Sequence, residues 1–166
     1  MNVLRYLFQL ALYVPLMALV GTLSSKPAFT HVPPEQALLR LSVVHAAQRK
    51  VECRTRTPEE LAKLPPNMRA AQDCPRERAP LVVELELDGS VVYRRVAAPA
   101  GITKDGAASV YYRMLVPAGA HQVAARLRDG PGERFNFSKD ARIELAPGGS
   151  LLIDFNAAQG GFMFRN

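Results

Sequence analysis

The chain has 166 residues, 48% of them hydrophobic, and its 21 Lys and Arg outnumber 15 Asp and Glu, for a formal net charge of +6. Setting aside an apolar N-terminal run leaves one ordinary domain of roughly 125–135 residues, enough for a real core. The arginines are scattered and interleaved with carboxylates, with no basic block and no aromatic-rich recognition motif. Nucleic-acid binding is therefore not expected, and the charge fits a solvated surface or contact with anionic lipid headgroups or acidic partners.

The apolar run is Val3–Leu23, VLRYLFQLALYVPLMALVGTL. From Tyr6 to Leu23 it carries no charge, and Gln9 is its only strongly polar side chain. A signal-peptide core needs about 7–15 apolar residues and a membrane-spanning helix about 17–25, so this run reaches spanning length. Pro15 would kink the helix, which membrane helices tolerate, and Tyr6 stands where an interfacial aromatic would. One reading is an uncleaved anchor, residues 1–24. Arg5 before the core and Lys26 after it favour a cytoplasmic N-terminus and an exported remainder: a single-pass inner-membrane protein with its C-terminal domain in the periplasm. The other is a signal peptide cut before Ser25, with Thr22 and Ser24 at the −3 and −1 positions, releasing a secreted domain. A buried helix of a soluble core does not suit a run that is apolar all round.

Residues 25–34, within the Pro-containing stretch SSKPAFTHVPP, read as a tether to a domain over 35–166. In EQALLRLSVVHAAQ, Leu39, Leu41, Val43 and His45 alternate with Arg40, Ser42 and Val44, which predicts a strand. Leu38, Leu41 and His45 also fall at helical spacing. The stretch 49–80 reads as an insertion. Thr57-Pro58-Glu59-Glu60 forms a capping box with Pro at the first helical position, Pro65-Pro66 stops the helix, and Asn67 is expected to cap a further turn. From Leu81 onward the pattern is strands. Leu81, Val83, Leu85 and Leu87 alternate with Val82, Glu84, Glu86 and Asp88, and Asp88-Gly89 is a hairpin signal into Val91–Val96. Ala97–Ala108 reads as a loop, and Ser109–Val116 as a strand turned by Pro117-Ala118-Gly119 into His121–Leu127. Asp129-Gly130-Pro131-Gly132 precedes Phe135–Ser138. Arg142–Leu145 and Ser150–Phe155 are expected to pair across Pro147-Gly148-Gly149, with GFMFRN as an edge strand. The predicted fold is all-β: an immunoglobulin-like or related sandwich of about 7–8 strands behind a transmembrane or signal-anchor helix, with a short helical, disulfide-bracketed insertion.

Leu115 to Gly130, LVPAGAHQVAARLRDG, places a Pro-x-Gly turn before a His-containing strand. In this it resembles PEGA-type and related immunoglobulin-like extracytoplasmic modules. The resemblance covers under a third of the chain and implies a non-catalytic domain that contacts other proteins or cell-wall material. It transfers no functional residue.

Cys53 and Cys74 in an exported domain most simply form a disulfide, and the spacing is neither CxxC nor CxxCH. The alternative is copper handling for a respiratory enzyme through Cys53, Cys74 and Met68, since soft thiolate and thioether sulfurs suit Cu(I). His31, His45 and His121 lack tight ligand spacing, and no cofactor is expected. There is no GxSxG, no HExxH and no phosphate-cradling glycine loop. Glu84 and Glu86 share one strand face, where a solvated pair is the expected state, so the chain does not read as an enzyme. Between Arg49 and Arg78 eight basic side chains oppose five acidic ones. Arg54, Arg56, Lys63, Arg69, Arg76 and Arg78 are accordingly candidates for binding an envelope protein partner.

Overall fold

A computed structural model describes residues 2–25 and 32–166. The chain divides into two units, Met1–His31 and Val32–Asn166. Most of the expected tether, and His31 with it, lies outside the described residues.

In the first unit the apolar run forms one continuous helix, α1, over Asn2–Ser25, with Pro15 inside it. At about 1.5 Å per residue it is about 36 Å long, against about 30 Å of bilayer hydrocarbon. Within Val3–Ser25 an 18-residue window reaches a mean hydropathy of 1.8, and among the described residues this is the one helix long and apolar enough to cross a membrane. Two polar residues near its end are satisfied within it: Thr22 and Ser25 hydroxyls donate to the Leu19 and Gly21 carbonyls at 2.9 and 2.7 Å.

The second unit is built from two four-stranded sheets. β1 (Gln36–His45) is followed by the insertion, with β2 (Arg54–Thr55), α2 (Pro58–Ala62) and β3 (Gln72–Asp73). Then come β4 (Leu81–Leu87), β5 (Ser90–Ala97), β6 (Ala108–Pro117), β7 (Gly119–Arg128), β8 (Phe137–Leu145), β9 (Ser150–Asn156) and β10 (Gly161–Arg165). The first sheet has the order β10-β9-β1-β6 and the second β5-β4-β7-β8, while β2 and β3 make a separate ribbon. β1 lies antiparallel to β6 and parallel to β9.

The period-2 pattern of β1 buries Ala37, Leu39, Leu41 and Val43 completely, and the strand reading of this segment holds over the helical one. They meet Leu81, Val83 and Leu85 of β4, Val123, Ala125 and Leu127 of β7, and Leu151, Ile153 and Phe155 of β9 in a single core. At the β4–β5 hairpin Asp88 and Gly89 both take positive φ, 50° and 81°, the conformation a two-residue turn between twisted strands requires.

Three expectations need correction. Arg142–Leu145 and Ser150–Phe155 do not pair: β8 belongs to the second sheet, beside β7, and β9 to the first, beside β1. The Pro-Gly-Gly turn carries the chain across the sandwich and docks on β1, with Gly148 N–H donating to the Gln36 carbonyl and Leu38 N–H to that of Gly149. Gly149 is required there, since a Cβ would lie 2.8 Å from the Ala146 carbonyl oxygen. Phe135–Ser138 and Arg142–Leu145 are not separate pieces, because β8 runs unbroken from Phe137. Finally, Asn67 is no cap. Pro66–Met68 form a 3-10 turn entered at Pro65 without a side-chain bond.

Candidate functional site

The insertion folds back on itself through the two cysteines. Cys53 and Cys74 are disulfide-bonded, and the adjoining residues pair Arg54 with Asp73 and Thr55 with Gln72. Inside the loop the capping box forms as expected: Thr57 Oγ1 accepts from Glu60 N–H at 3.3 Å, and Glu60 Oε2 accepts from Thr57 N–H at 3.0 Å. The Thr57 N–H, with the Arg54 guanidinium beside it, holds the Glu60 carboxyl below its usual range. With both sulfurs in the bond, no thiolate remains for a soft metal, and Met68 is exposed. Among the described residues no group of three or more His, Cys, Asp or Glu is placed to hold a metal ion.

Four of the six candidate cations are held by the insertion or its base. Arg54 bridges Glu60 and Asp73 at 3.0 and 3.1 Å, and Arg56 reaches Asp73 at 3.2 Å and the Ala70 carbonyl. Arg69 donates to the Leu64 carbonyl at 3.0 Å. Arg78, half-buried, clamps the insertion to the sandwich by donating to the Asp105 and Ala47 carbonyls, each at 2.7 Å. Lys63 and Arg76 are exposed and, among the described residues, have no ion pair.

Both described histidines act as ties between elements. His45 Nε2 lies 2.9 Å from Asp129 Oδ2, whose other oxygen accepts from Gln48 Nε2 at 3.1 Å. The His45 ring stands edge-on to Phe155 and Phe137, so the pair closes one end of the core. His121 Nδ1 lies 2.7 Å from Asp88 Oδ2 and its Nε2 lies 2.9 Å from the Pro117 carbonyl. With acceptors on both sides the ring suits the doubly protonated form, and the bond to Asp88 raises its pKa. Asp88 is correspondingly depressed, by His121 first and by the Gln122 N–H second. No nucleophilic hydroxyl or thiol bonds either ring among the described residues.

The outer faces of the two sheets differ in how they treat charge. On the second, Glu84 sits between Arg94 of β5 and Arg126 of β7 in the register. Arg126 reaches Glu84 at 3.1 Å and Glu86 at 2.7 Å, and Arg94 lies 3.7 Å from Glu84. Glu84 is thereby only 8% exposed, so the expected solvated pair is instead the centre of an ion-pair ladder. These bonds, to Glu86 first and Glu84 second, raise the Arg126 pKa further. One row along, Arg128 stands beside Val82 with a buried, unpartnered Nε.

On the first sheet the register sets Arg113 of β6 opposite Arg40 of β1, Arg40 opposite Leu152 of β9, and Leu152 opposite Arg165 of β10. Among the described residues none of these three arginines pairs with a carboxylate. Arg40 Nη2 donates to Ser150 Oγ at 3.1 Å, and its Nε is buried without a partner. Asp154, the one acid at these outward register positions, accepts from the neighbouring Phe155 N–H. Around the row Val44, Tyr111 and Leu115 are exposed at 64%, 63% and 45%. Sequence reasoning passed over this row because its members lie on three strands far apart in the chain. The outward positions of each strand pattern, read together once the strand order is known, would have found it. Comparison of the chain with protein-family models, with curated proteins and with solved structures returns no match.

Proposed function

We propose that the chain is a membrane-anchored binding or assembly module of the bacterial envelope, an accessory subunit rather than an enzyme. In this reading α1 is retained as a single-pass inner-membrane anchor and the sandwich stands in the periplasm. The observation that carries it is the joining, in one chain, of an exposed apolar helix of spanning length to a disulfide-closed all-β domain. Structural disulfides persist in oxidising compartments, and single-pass proteins export such domains across the membrane.

The side chains with chemical potential support a binding role, since they are spent on the fold. His45 and His121 tie elements to carboxylates, and Glu84 and Glu86 are held by arginines. Lys63 and Arg76 are the insertion's open positions for a protein partner. The module class is best placed among sandwiches related to, rather than sharing, immunoglobulin connectivity. The immunoglobulin constant domain puts its first, second, fifth and fourth strands in one sheet. Here β1 lies with β6, β9 and β10, which are the fourth, seventh and eighth strands of the sandwich.

Protease added to spheroplasts tests the topology. Removal of the C-terminal domain is expected, and a domain protected until the membrane is lysed would overturn the reading. An N-terminus beginning near Ser25 in the mature protein would favour the secreted alternative. Thiol titration of protein from the envelope should find Cys53 and Cys74 blocked, and reduced thiols with bound copper would favour metal delivery.

A further inference from the structure

The geometry points to the outer face of the β10-β9-β1-β6 sheet as a surface for anionic lipid headgroups. Arg40, Arg113 and Arg165 take phosphates there, and Tyr111, Leu115 and Val44 enter the interfacial layer. This rests on the reading of α1 as a retained anchor. Like charges directly opposite on neighbouring strands are destabilising, and Arg40 faces Arg113 in that way. The same domain compensates such arginines on its other sheet, where Glu84 lies between Arg94 and Arg126. On the first sheet the row spans three interstrand steps, about 14 Å at about 4.8 Å each, with no carboxylate partner among the described residues. A planar guanidinium binds phosphate through paired N–H donors, so a line of phosphates is the complementary anion.

The apolar side chains decide between a bilayer and an acidic protein. A polyacidic strand would meet the arginines and leave Val44, Tyr111 and Leu115 wet. A headgroup layer accepts both, because an aromatic or aliphatic tip enters it beside a phosphate-bound guanidinium. Covalent linkage adds to this. Ten residues separate the end of α1 from the start of β1, which limits the reach of a fully extended link to about 35 Å. Attraction of one arginine to an anionic surface is modest. A domain tethered to that surface meets it at high effective concentration, so three arginines suffice.

The test uses the full chain reconstituted in nanodiscs of phosphatidylcholine alone or with a quarter phosphatidylglycerol. Arginine-selective dicarbonyl labelling is read residue by residue by mass spectrometry. Labelling of Arg113 and Arg165 is expected to slow several-fold in the anionic discs and to recover at high salt, while the exposed Arg76 and Arg134 keep their rates. Equal rates in both discs, or an equal slowing of all four arginines, would overturn the proposal and leave the anchor reading intact. Slowing that requires added poly-glutamate, with no effect of phosphatidylglycerol, would overturn it in favour of an acidic protein. A chain that fails to co-purify with either disc would overturn the anchor reading, and this proposal with it.

Discussion

On the outer face of the second sheet, Arg94 and Arg126 close on Glu84 at 3.7 and 3.1 Å, whereas Arg40 and Arg113 on the first sheet face each other with no acid between them. Strand spacing and side-chain type are the same in both places. The difference lies in the central strand: β4 brings Glu84 to the position between two arginines, while β1 sets Arg40 between Arg113 and Leu152. Compensated charge becomes part of the fold, since Glu84 is buried by its partners. Uncompensated charge stays available to something outside the chain.

The comparison can be pressed from several sides. Replacing Cys53 and Cys74 with Ala removes a closure of 21 residues, worth up to about 3 kcal/mol in the unfolded-chain model. Denaturant unfolding should record that loss, while arginine labelling on both faces stays as in the parent. A changed pattern would mean that the insertion shapes one of the faces. Glu84→Ala strips two arginines of their acceptor at a buried position and should cost about 1–3 kcal/mol. If the cost fell near zero, the ladder would be as dispensable as the other face. Arg113→Glu does the reverse by placing a carboxylate opposite Arg40, and a gain of about 0.2–1 kcal/mol is expected. A loss there would make Arg113 part of the fold.

The smallest effect is expected at the turn end of the second sheet, where His121 meets Asp88. The histidine's pKa is raised, so its contribution to stability is complete below the unfolded value, about 6.5, and is lost as pH rises through the higher folded value. Asp88 is depressed, so its contribution is present above the unfolded value, about 3.9, and fades as pH falls through the lower folded one. His121→Gln should remove the alkaline limb of the stability–pH profile and shrink the acid limb of Asp88 to the part that the Gln122 N–H supports. An unchanged alkaline limb would assign that pH dependence to other groups.

Much of the local structure was legible in the chain. The alternation in β1, the Asp88-Gly89 turn and the Thr57–Glu60 cap depend on neighbours within a few residues, and each formed as expected. Pairing was harder. A Pro-Gly-Gly turn reverses the chain whether the next strand joins the same sheet or the opposite one, so β8 and β9 looked like a hairpin. β8 itself was obscured by Ser138, Lys139 and Asp140, three polar residues in succession. An edge strand accommodates such a run because solvent reaches both of its faces. The two charged faces were the least visible features. Whether Glu84 is solvated or clamped depends on where Arg94 and Arg126 fall in the register, which no local pattern encodes. The cysteine pair was legible, and so was the capping box of its loop. What escaped notice was that the loop's own carboxylates and carbonyls would take up most of its arginines.

The position of β1 carries a consequence for the order in which the domain is assembled. Its two hydrogen-bonded neighbours, β6 and β9, begin at Ala108 and Ser150, so the first strand to be made is flanked by strands made much later. The second sheet gathers from nearer contacts, with β4 pairing β5 across two residues and β7 pairing β8 across the eight that follow Arg128. Contacts of short sequence separation close sooner, so the β4–β5 and β7–β8 pairings are expected to form ahead of those of β1. A chain ending at Leu145 would leave β1 with one open edge and the core without Leu151, Ile153 and Phe155. The domain therefore reaches its folded state only when nearly the whole chain is available to it.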